Sequence, residues 1–468
     1  MAFFSWLIGQ GAVMIMPIFM LLLCLIFKAN AKQSLSGAIK IAVGFTALNG
    51  LLGIIFGGME PAVASMVERF DVGFSVLDIG WPTQTAMGWA IPWGMLAAIL
   101  FFLLNLVLLL LGRTKTLNAD FNNIWIINTY IFFIKMVTGN WILAIVSGVL
   151  FWLICIKIAD WFAPCISAYY GMDGIDVTHY YSIAWAPIGF LLDKIWDKIP
   201  GINKINWQAD EIQRKFGFFG EPIFMGFVIG LLVGCIAYVK LPLSLDAIGA
   251  ALSLGFTVAF FMYIVPRCAE LVIAGMGPLS DAIREFVSKK LPGKEYYIGL
   301  DVAVLVGAPE HSAIGVLTTP VAFLLAFLLP GNKVLPMGDV AGLFIFICVF
   351  LCNTNKGNIF RGLLNSALFL IPASFYIGGA MAPVNMQMLE AINYALPEGS
   401  GVVTSLCLGT VPLLYAFYEI SIFIAGIGTM TDLLIGLAIT AAFLVPWYIM
   451  RNRPAEYVKE LNEERMNS

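Results

Sequence analysis

The sequence predicts an all-α polytopic membrane protein with about 11 transmembrane helices, built as two inverted repeats that each carry a re-entrant hairpin. Three observations predict it. Of the 468 residues, 60% are hydrophobic and only 12% charged, with a mean hydropathy of +0.90; a soluble domain carries about 25% charged residues. The charges fall between apolar runs long enough to cross a hydrocarbon core of ~30 Å at ~1.5 Å per residue. Short motifs then recur in the same order, at offsets from 205 to 227 residues.

Residues 6–27 form a charge-free run of 22 residues, the first span. The opening Met-Ala-Phe-Phe-Ser-Trp lacks the basic n-region of a signal peptide, so this span is expected to be retained. Lys28, Lys32 and Lys40 follow, then a second span at 41–59 and a mildly acidic loop with Glu60, Glu68, Arg69 and Asp71. The next charge-free run, 79–112, has 34 residues and is too long for one ordinary helix. Its Gly80, Pro82 and Gly88 favour a hairpin that dips in and returns, followed by a true span from about residue 91. Residues 124–137 and 141–162 then cross and return around Gly139-Asn140. The short segment 181–192 reads as interfacial, and 193–215 as a polar, lysine-rich loop.

From Gly220 the pattern restarts. Pro17-Ile18-Phe19-Met20 recurs as Pro222-Ile223-Phe224-Met225, Gly44-Phe45-Thr46 as Gly255-Phe256-Thr257, and Gly139-Asn140 as Gly357-Asn358. Met59-Glu60-Pro61 is echoed by Met276-Gly277-Pro278. The longest match joins Gly80-Trp81-Pro82-Thr83-Gln84-Thr85-Ala86-Met87-Gly88 to Gly307-Ala308-Pro309-Glu310-His311-Ser312-Ala313-Ile314-Gly315, 227 residues on. Ordered matches of this kind are the signature of internal duplication, here about residues 6–163 and 218–381. Loop 266–297, the counterpart of the acidic loop 60–71, carries Arg267, Arg284, Lys289, Lys290 and Lys294. Basic loops stay cytoplasmic, so the two copies are inverted. This places 28–40, 113–115, 193–216, 266–297 and 353–361 inside and the N-terminus outside. Residues 399–418, apolar but broken by Gly and Pro, read as re-entrant; 433–450 is a last span, and 451–468 a soluble cytoplasmic tail.

Between Pro and Ala each hairpin holds three polar residues, Thr83-Gln84-Thr85 and Glu310-His311-Ser312. Polar groups and helix breakers at that depth are expected where they line protein or a water-filled cavity. A matched pair of interrupted segments is a sequence pointer to a transporter's binding site. The six residues offer hydroxyl, amide, carboxylate and imidazole groups, a set suited to an uncharged polyhydroxylated solute. Glu310 and His311 are the candidates to accept a proton from a reacting hydroxyl. Glu221, just before Pro222, either accepts a solute hydroxyl or caps a broken helix. Asn140 and Asn358 either contact solute or satisfy a helix break. Asp78 and Asp301 are expected to hold hairpin backbone, Asp120 and Asp339 to cap span starts, and His179 to be an exposed residue of the inside segment. Trp81, Trp89, Trp93 and Trp141 are read as interfacial anchors or packing. The eight cysteines show no metal spacing and read as small buried hydrophobes. No Walker motif is present, the net charge of −3 gives no footprint for nucleic acid, and neither cofactor nor metal is expected.

Four stretches carry a family resemblance: residues 209–222 (Ala-Asp-Glu-Ile-Gln-Arg-Lys-Phe-Gly-Phe-Phe-Gly-Glu-Pro), 329–339 (Leu-Pro-Gly-Asn-Lys-Val-Leu-Pro-Met-Gly-Asp), Val76-Leu77-Asp78-Ile79-Gly80-Trp81-Pro82 and Gly357-Asn358-Ile359-Phe360-Arg361. They resemble the galactitol-type enzyme IIC, the membrane permease subunit of the phosphoenolpyruvate-dependent sugar phosphotransferase system, in the ascorbate/galactitol superfamily. The resemblance runs over about residues 8–450. It implies a homodimer with a dimerising scaffold and a moving core in each protomer, in the bacterial inner membrane. It also implies phosphorylation of a polyol or sugar during uptake by the phosphocysteine of a separate enzyme IIB, itself charged by enzyme IIA. The phosphoryl donor then lies on another chain, and this chain is the translocating subunit of a multi-chain phosphotransferase. The rival reading is an ion-coupled secondary transporter of the same fold.

Overall fold

The computed structural model describes residues 12–70, 74–90, 94–120, 122–209, 221–240, 242–290, 295–305, 308–336, 338–339, 347–394 and 401–467. Residues 1–11, the start of the predicted first span, lie outside them, as do 399 and 400 of the predicted re-entrant segment. The chain is mostly helical, with apolar helices befitting a polytopic membrane protein. Four described helical stretches are long and apolar enough to cross a membrane: Trp141–Tyr170, Pro309–Leu328, Ile359–Ala391 and Met430–Ile449.

The first half runs α1 (Ala12–Ile26), α2 (Ala31–Phe70), β1 (Val76–Asp78), α3 (Trp81–Ala90), α4 (Gly94–Leu110), β2 (Thr116–Asn118), α5 (Asn122–Thr138), α6 (Trp141–Tyr170) and β3 (Ile175–Val177). After α7 (Tyr180–Ile183) and α8 (Ala186–Trp196) come α9 (Pro222–Tyr238), α10 (Leu245–Lys290), β4 (Tyr297–Leu300), α11 (Pro309–Leu328), β5 (Val334–Leu335), α12 (Val349–Asn353), α13 (Ile359–Asn365), α14 (Ile371–Ala391) and β6 (Val402–Thr404). The chain ends in α15 (Pro412–Ile424), α16 (Met430–Ile449) and α17 (Arg453–Asn467). Within 79–112, where a break is expected, the described residues form α3 and α4, and residues 91–93 lie outside them. The second span is longer than its apolar run, because α2 continues through polar ends to 40 residues.

Helices α1, α2, α9 and α10 pack together as one group. Small residues let their backbones approach. A Cβ added at Gly37 would lie 2.5 Å from the Gly275 carbonyl oxygen, and one at Gly275 2.7 Å from that of Gly37. Arg69 closes the end of α9, donating to the carbonyls of Ile236 and Val239 at 2.6 and 2.9 Å.

Against an all-α expectation, six strands among the described residues form two parallel three-stranded sheets, ordered β5-β1-β6 and β2-β4-β3. Each sheet takes its middle strand from one half of the chain and both outer strands from the other. The strands have two to four residues, too short to show an alternating pattern against apolar surroundings.

Two peripheral expectations are corrected. Segment 181–192 is not interfacial: α7 is wholly buried, and in α8 Ala186, Pro187, Gly189, Phe190 and Leu192 are buried inside the protein. Nor is the tail a free segment. Helix α17 docks on α6 with Tyr457 fully buried and its hydroxyl donating to Asn353 O at 2.7 Å. Its charges anchor it: Lys356 lies 3.0 Å from Glu460 and 2.6 Å from Glu464, and Arg453 forks onto Glu460. Burial pulls the Glu460 carboxyl up, but the bonds from Arg453 and Lys356 outweigh it and hold the group below its ordinary range. A depressed carboxylate contributes stability that is present above its unfolded value and lost as pH falls through the folded one. Hydrogen exchange over 453–467 should therefore accelerate below about pH 4.3, ahead of the membrane helices; uniform protection down to pH 3 would refute the anchoring role.

Candidate functional site

The first hairpin is built from its backbone outward. Gly80 takes φ +86° between β1 and α3, a conformation that strains any residue with a side chain. Thr83 Oγ1 then donates back to Gly80 O at 2.7 Å and Thr85 Oγ1 to Trp81 O at 3.2 Å. The Gln84 amide, fully buried, donates to Asn385 Oδ1 of α14 at 2.6 Å. Two buried carboxylates hold this junction. Asp78 accepts from the backbone N–H of Gly80, Asp339 and Leu406 at 3.1, 2.8 and 3.2 Å. Asp339 accepts from the N–H of Trp81 and Cys407 at 2.6 and 3.0 Å, and from the Ser405 hydroxyl. Asp78 thus holds the backbone at the start of α3, and Asp339 ties two distant segments together; the span start that Asp339 is expected to cap, from residue 340, lies outside the described residues.

The second hairpin opens α11. Glu310, with 13% of its side chain exposed, accepts from the Tyr169 hydroxyl at 2.9 Å. His311 is completely buried, and its Nε2 bonds the Tyr170 hydroxyl. Glu310 Oε1 lies 3.7 Å from His311 Nε2, so carboxylate, imidazole and two phenols meet at the C-terminal end of α6. Among the described residues no hydrogen bond joins this group to Thr83–Thr85; the two tips are held by different partners. The Ser312 side chain lies outside the described set.

The other named residues sit at helix starts. Asn140 is exposed and caps α6, accepting from Leu143 N at 3.1 Å. Asn358 is buried and caps α13, accepting from Arg361 N at 3.2 Å and donating to Ile205 O at 2.8 Å. Both therefore satisfy a helix break. Glu221 is half-buried ahead of α9 and makes no side-chain cap bond.

One group was missed at the sequence level. His179 is not exposed: it is 5% accessible, and its Nδ1 lies 2.8 Å from Asp120 Oδ2 and 3.8 Å from Asp301 Oδ2. The side chain of Asn122 donates to Asp301, and the Asn122 N–H to Asp120 at 2.9 Å, so Asp120 does cap α5. One ligand atom from each of Asp120, His179 and Asp301 lies within 4.8 Å of the others, a spacing that could hold a cation. A chain of aromatic contacts, Trp81 stacked on Trp125, then Trp125–Tyr181 and Tyr181–His179 edge to face, links this group to the start of α3 at centroid distances of 6.3, 5.8 and 5.3 Å. The tryptophans Trp81 and Trp125 are thus internal packing. A usable signal existed: the Asp78/Asp301 and Asp120/Asp339 offsets fall inside the range of the repeated motifs.

A family profile described as EIIC-GAT, "PTS system sugar-specific permease component", matches residues 6–395. The chain is 30% identical over 415 residues to the "PTS system galactitol-specific EIIC component" of Escherichia coli strain K12, covering 89% of this chain and 90% of that one. The protein of the same description from Escherichia coli O157:H7 matches equally. A "Putative permease IIC component" of strain K12 is 30% identical over 406 residues, 87% of this chain and 91% of the relative.

Proposed function

The chain belongs to the family of sugar-specific permease components of the phosphotransferase system, and from that premise we propose that it carries galactitol or a related alditol or sugar across the bacterial inner membrane while an enzyme IIB phosphocysteine phosphorylates it. The observation that carries the site assignment is the meeting of Glu310 and His311 with Tyr169 and Tyr170, an ionisable group enclosed at the start of an apolar helix. Intramembrane ionisable groups are costly and mark solute or proton paths. Glu310 or His311 accepts the proton of the attacking hydroxyl, while the protein otherwise positions groups and stabilises charge. Thr83, Gln84, Thr85 and Ser312 at the hairpins, with Glu221, Asn140 and Asn358 at helix starts, are the proposed solute contacts.

Residues 8–450 form the permease domain, with inverted repeats at about 6–163 and 218–381. The reciprocal make-up of the two sheets supports that symmetry. The group α1, α2, α9 and α10 is the proposed dimerising scaffold, past which the remainder moves in an elevator-type step. The N-terminus lies outside and α17 inside, where enzyme IIB, recharged by enzyme IIA, docks. Membrane vesicles supplied with labelled galactitol and phosphorylated enzyme IIB should accumulate the phosphate ester. Accumulation of unmodified galactitol on an ion gradient, without any phosphoprotein, would overturn this reading. That second outcome is the ion-coupled alternative, favoured by the cation-sized spacing of Asp120, His179 and Asp301.

A further inference from the structure

We propose that the turn Asn353-Thr354-Asn355 forms a second wall of the solute pocket and selects a neutral polyol over its phosphate ester. The inference rests on Glu310 and His311 facing the solute, as proposed above, and adds both residues and a selection rule. On His311 and on this turn, four buried side-chain atoms meet no hydrogen-bond criterion among the described residues: His311 Nδ1, Asn353 Oδ1, Asn353 Nδ2 and Asn355 Oδ1. Their residues are 0%, 0% and 7% exposed. Tyr170 links the two residues: its hydroxyl bonds His311 Nε2 and lies against the Asn353 amide. Buried polar groups in folded proteins are paired in all but a few cases. Unmet groups on His311 and Asn353, either side of Tyr170, therefore call for a polar occupant.

The turn itself does not need the Asn353 side chain. Its backbone is fixed by Tyr457 donating to Asn353 O at 2.7 Å, Lys356 N to Asn353 O at 3.0 Å, and Gly357 N to Cys352 O at 3.1 Å. Asn355 already spends its amide N–H on Leu351 O at 2.9 Å, leaving only its oxygen turned to the pocket. The unmet set thus asks for at least two donors and one acceptor close together. Neighbouring hydroxyls of an alditol supply both roles, since each donates and accepts. A phosphate monoester dianion supplies acceptors only. It would face two amide oxygens and the Glu310 carboxylate with no cation to offset them. The nearby Lys356 is engaged by Glu460 and Glu464, and the Arg361 guanidinium, whose Nε alone lacks a partner among the described residues, is charge-balanced by Asp193 and Asp197. The wall that receives the alcohol therefore expels the ester once the phosphoryl group has arrived, which gives uptake its direction at this step.

The test is equilibrium binding of galactitol and of galactitol phosphate to the purified full-length protein, wild type and Asn353→Leu, with thermal melting recorded in parallel. The wild type should bind the polyol at least tenfold tighter than the ester. Asn353→Leu should lose tenfold or more in polyol affinity with an unchanged melting temperature, and Asn355→Ser, which keeps a hydroxyl, should lose less. If Asn353→Leu does not fold, Asn353→Ser and Asn355→Leu carry the same comparison. Polyol affinity unaffected by these substitutions would mean that only water fills the gap and would overturn the second wall. Equal affinity of the wild type for polyol and ester would overturn the selection rule. No binding of any alditol by the wild type would instead bring down the functional reading, and this inference with it.

Discussion

Glu310→Gln is expected to cut phosphorylation of the imported solute by about 10²–10⁴-fold, the range general-base groups contribute, while protein content in the membrane stays unchanged. The structure makes the substitution clean. Glu310 accepts from Tyr169 at 2.9 Å, and the glutamine carbonyl can accept the same bond, so geometry survives while charge and basicity are lost. His311→Ala removes a completely buried ring and strands the Tyr170 hydroxyl, so a comparable loss there should come with some loss of stability. Tyr169→Phe keeps the carboxylate but frees it to rotate, and should reduce the rate less than Glu310→Gln. The measurement is phosphate-ester formation at saturating solute, with solute affinity determined separately. A fall in turnover with affinity preserved identifies a group acting in the chemical step. Wild-type turnover in both Glu310→Gln and His311→Ala would remove the second hairpin from the chemistry.

The parts legible in the sequence were those governed by long-range hydropathy and by chain breakers. Apolar runs located α5 and α16 within a few residues and the start of α6, which runs on to Tyr170, beyond the expected end at 162. Where polar residues extend a helix beyond its apolar run, as in α2, composition underestimates it. The strands escaped because parallel pairing is specified by partners hundreds of residues distant: Val76 pairs with both Val334 and Val402. Polar residues were easier to single out than to assign. Thr83 and Thr85 stood out as polar in an apolar stretch, yet their hydroxyls turn back to the helix carbonyls that precede them. His179 read as an exposed residue because its neighbours in sequence are polar, whereas its neighbours in space are two carboxylates contributed from residues 120 and 301. The clustering of His311, Asn353 and Asn355 is likewise a product of the fold, since nothing local relates residue 311 to residue 353.

The second large effect is expected at Asp78, and it should be of the opposite kind. Asp78→Ala removes the acceptor for three backbone N–H groups that come from residues 80, 339 and 406. Asp78 is fully buried, so water cannot replace the carboxylate without a cavity forming. At roughly 1–3 kcal/mol for each of the three stranded donors, the loss is on the order of 3–9 kcal/mol, a large part of a typical total of about 5–15. Asp78→Asn should fall between, because one oxygen still accepts while the new amide group opposes a neighbouring N–H. The readout is the melting temperature and monodispersity of the solubilised protein, on which Glu310→Gln should match the wild type. The two substitutions thereby separate a carboxylate that holds three chain segments together from one proposed to act on the solute. If Asp78→Ala melted like the wild type, the Asp78–Asp339 junction would not be what positions the first hairpin, and the placement of Thr83–Thr85 would need another cause.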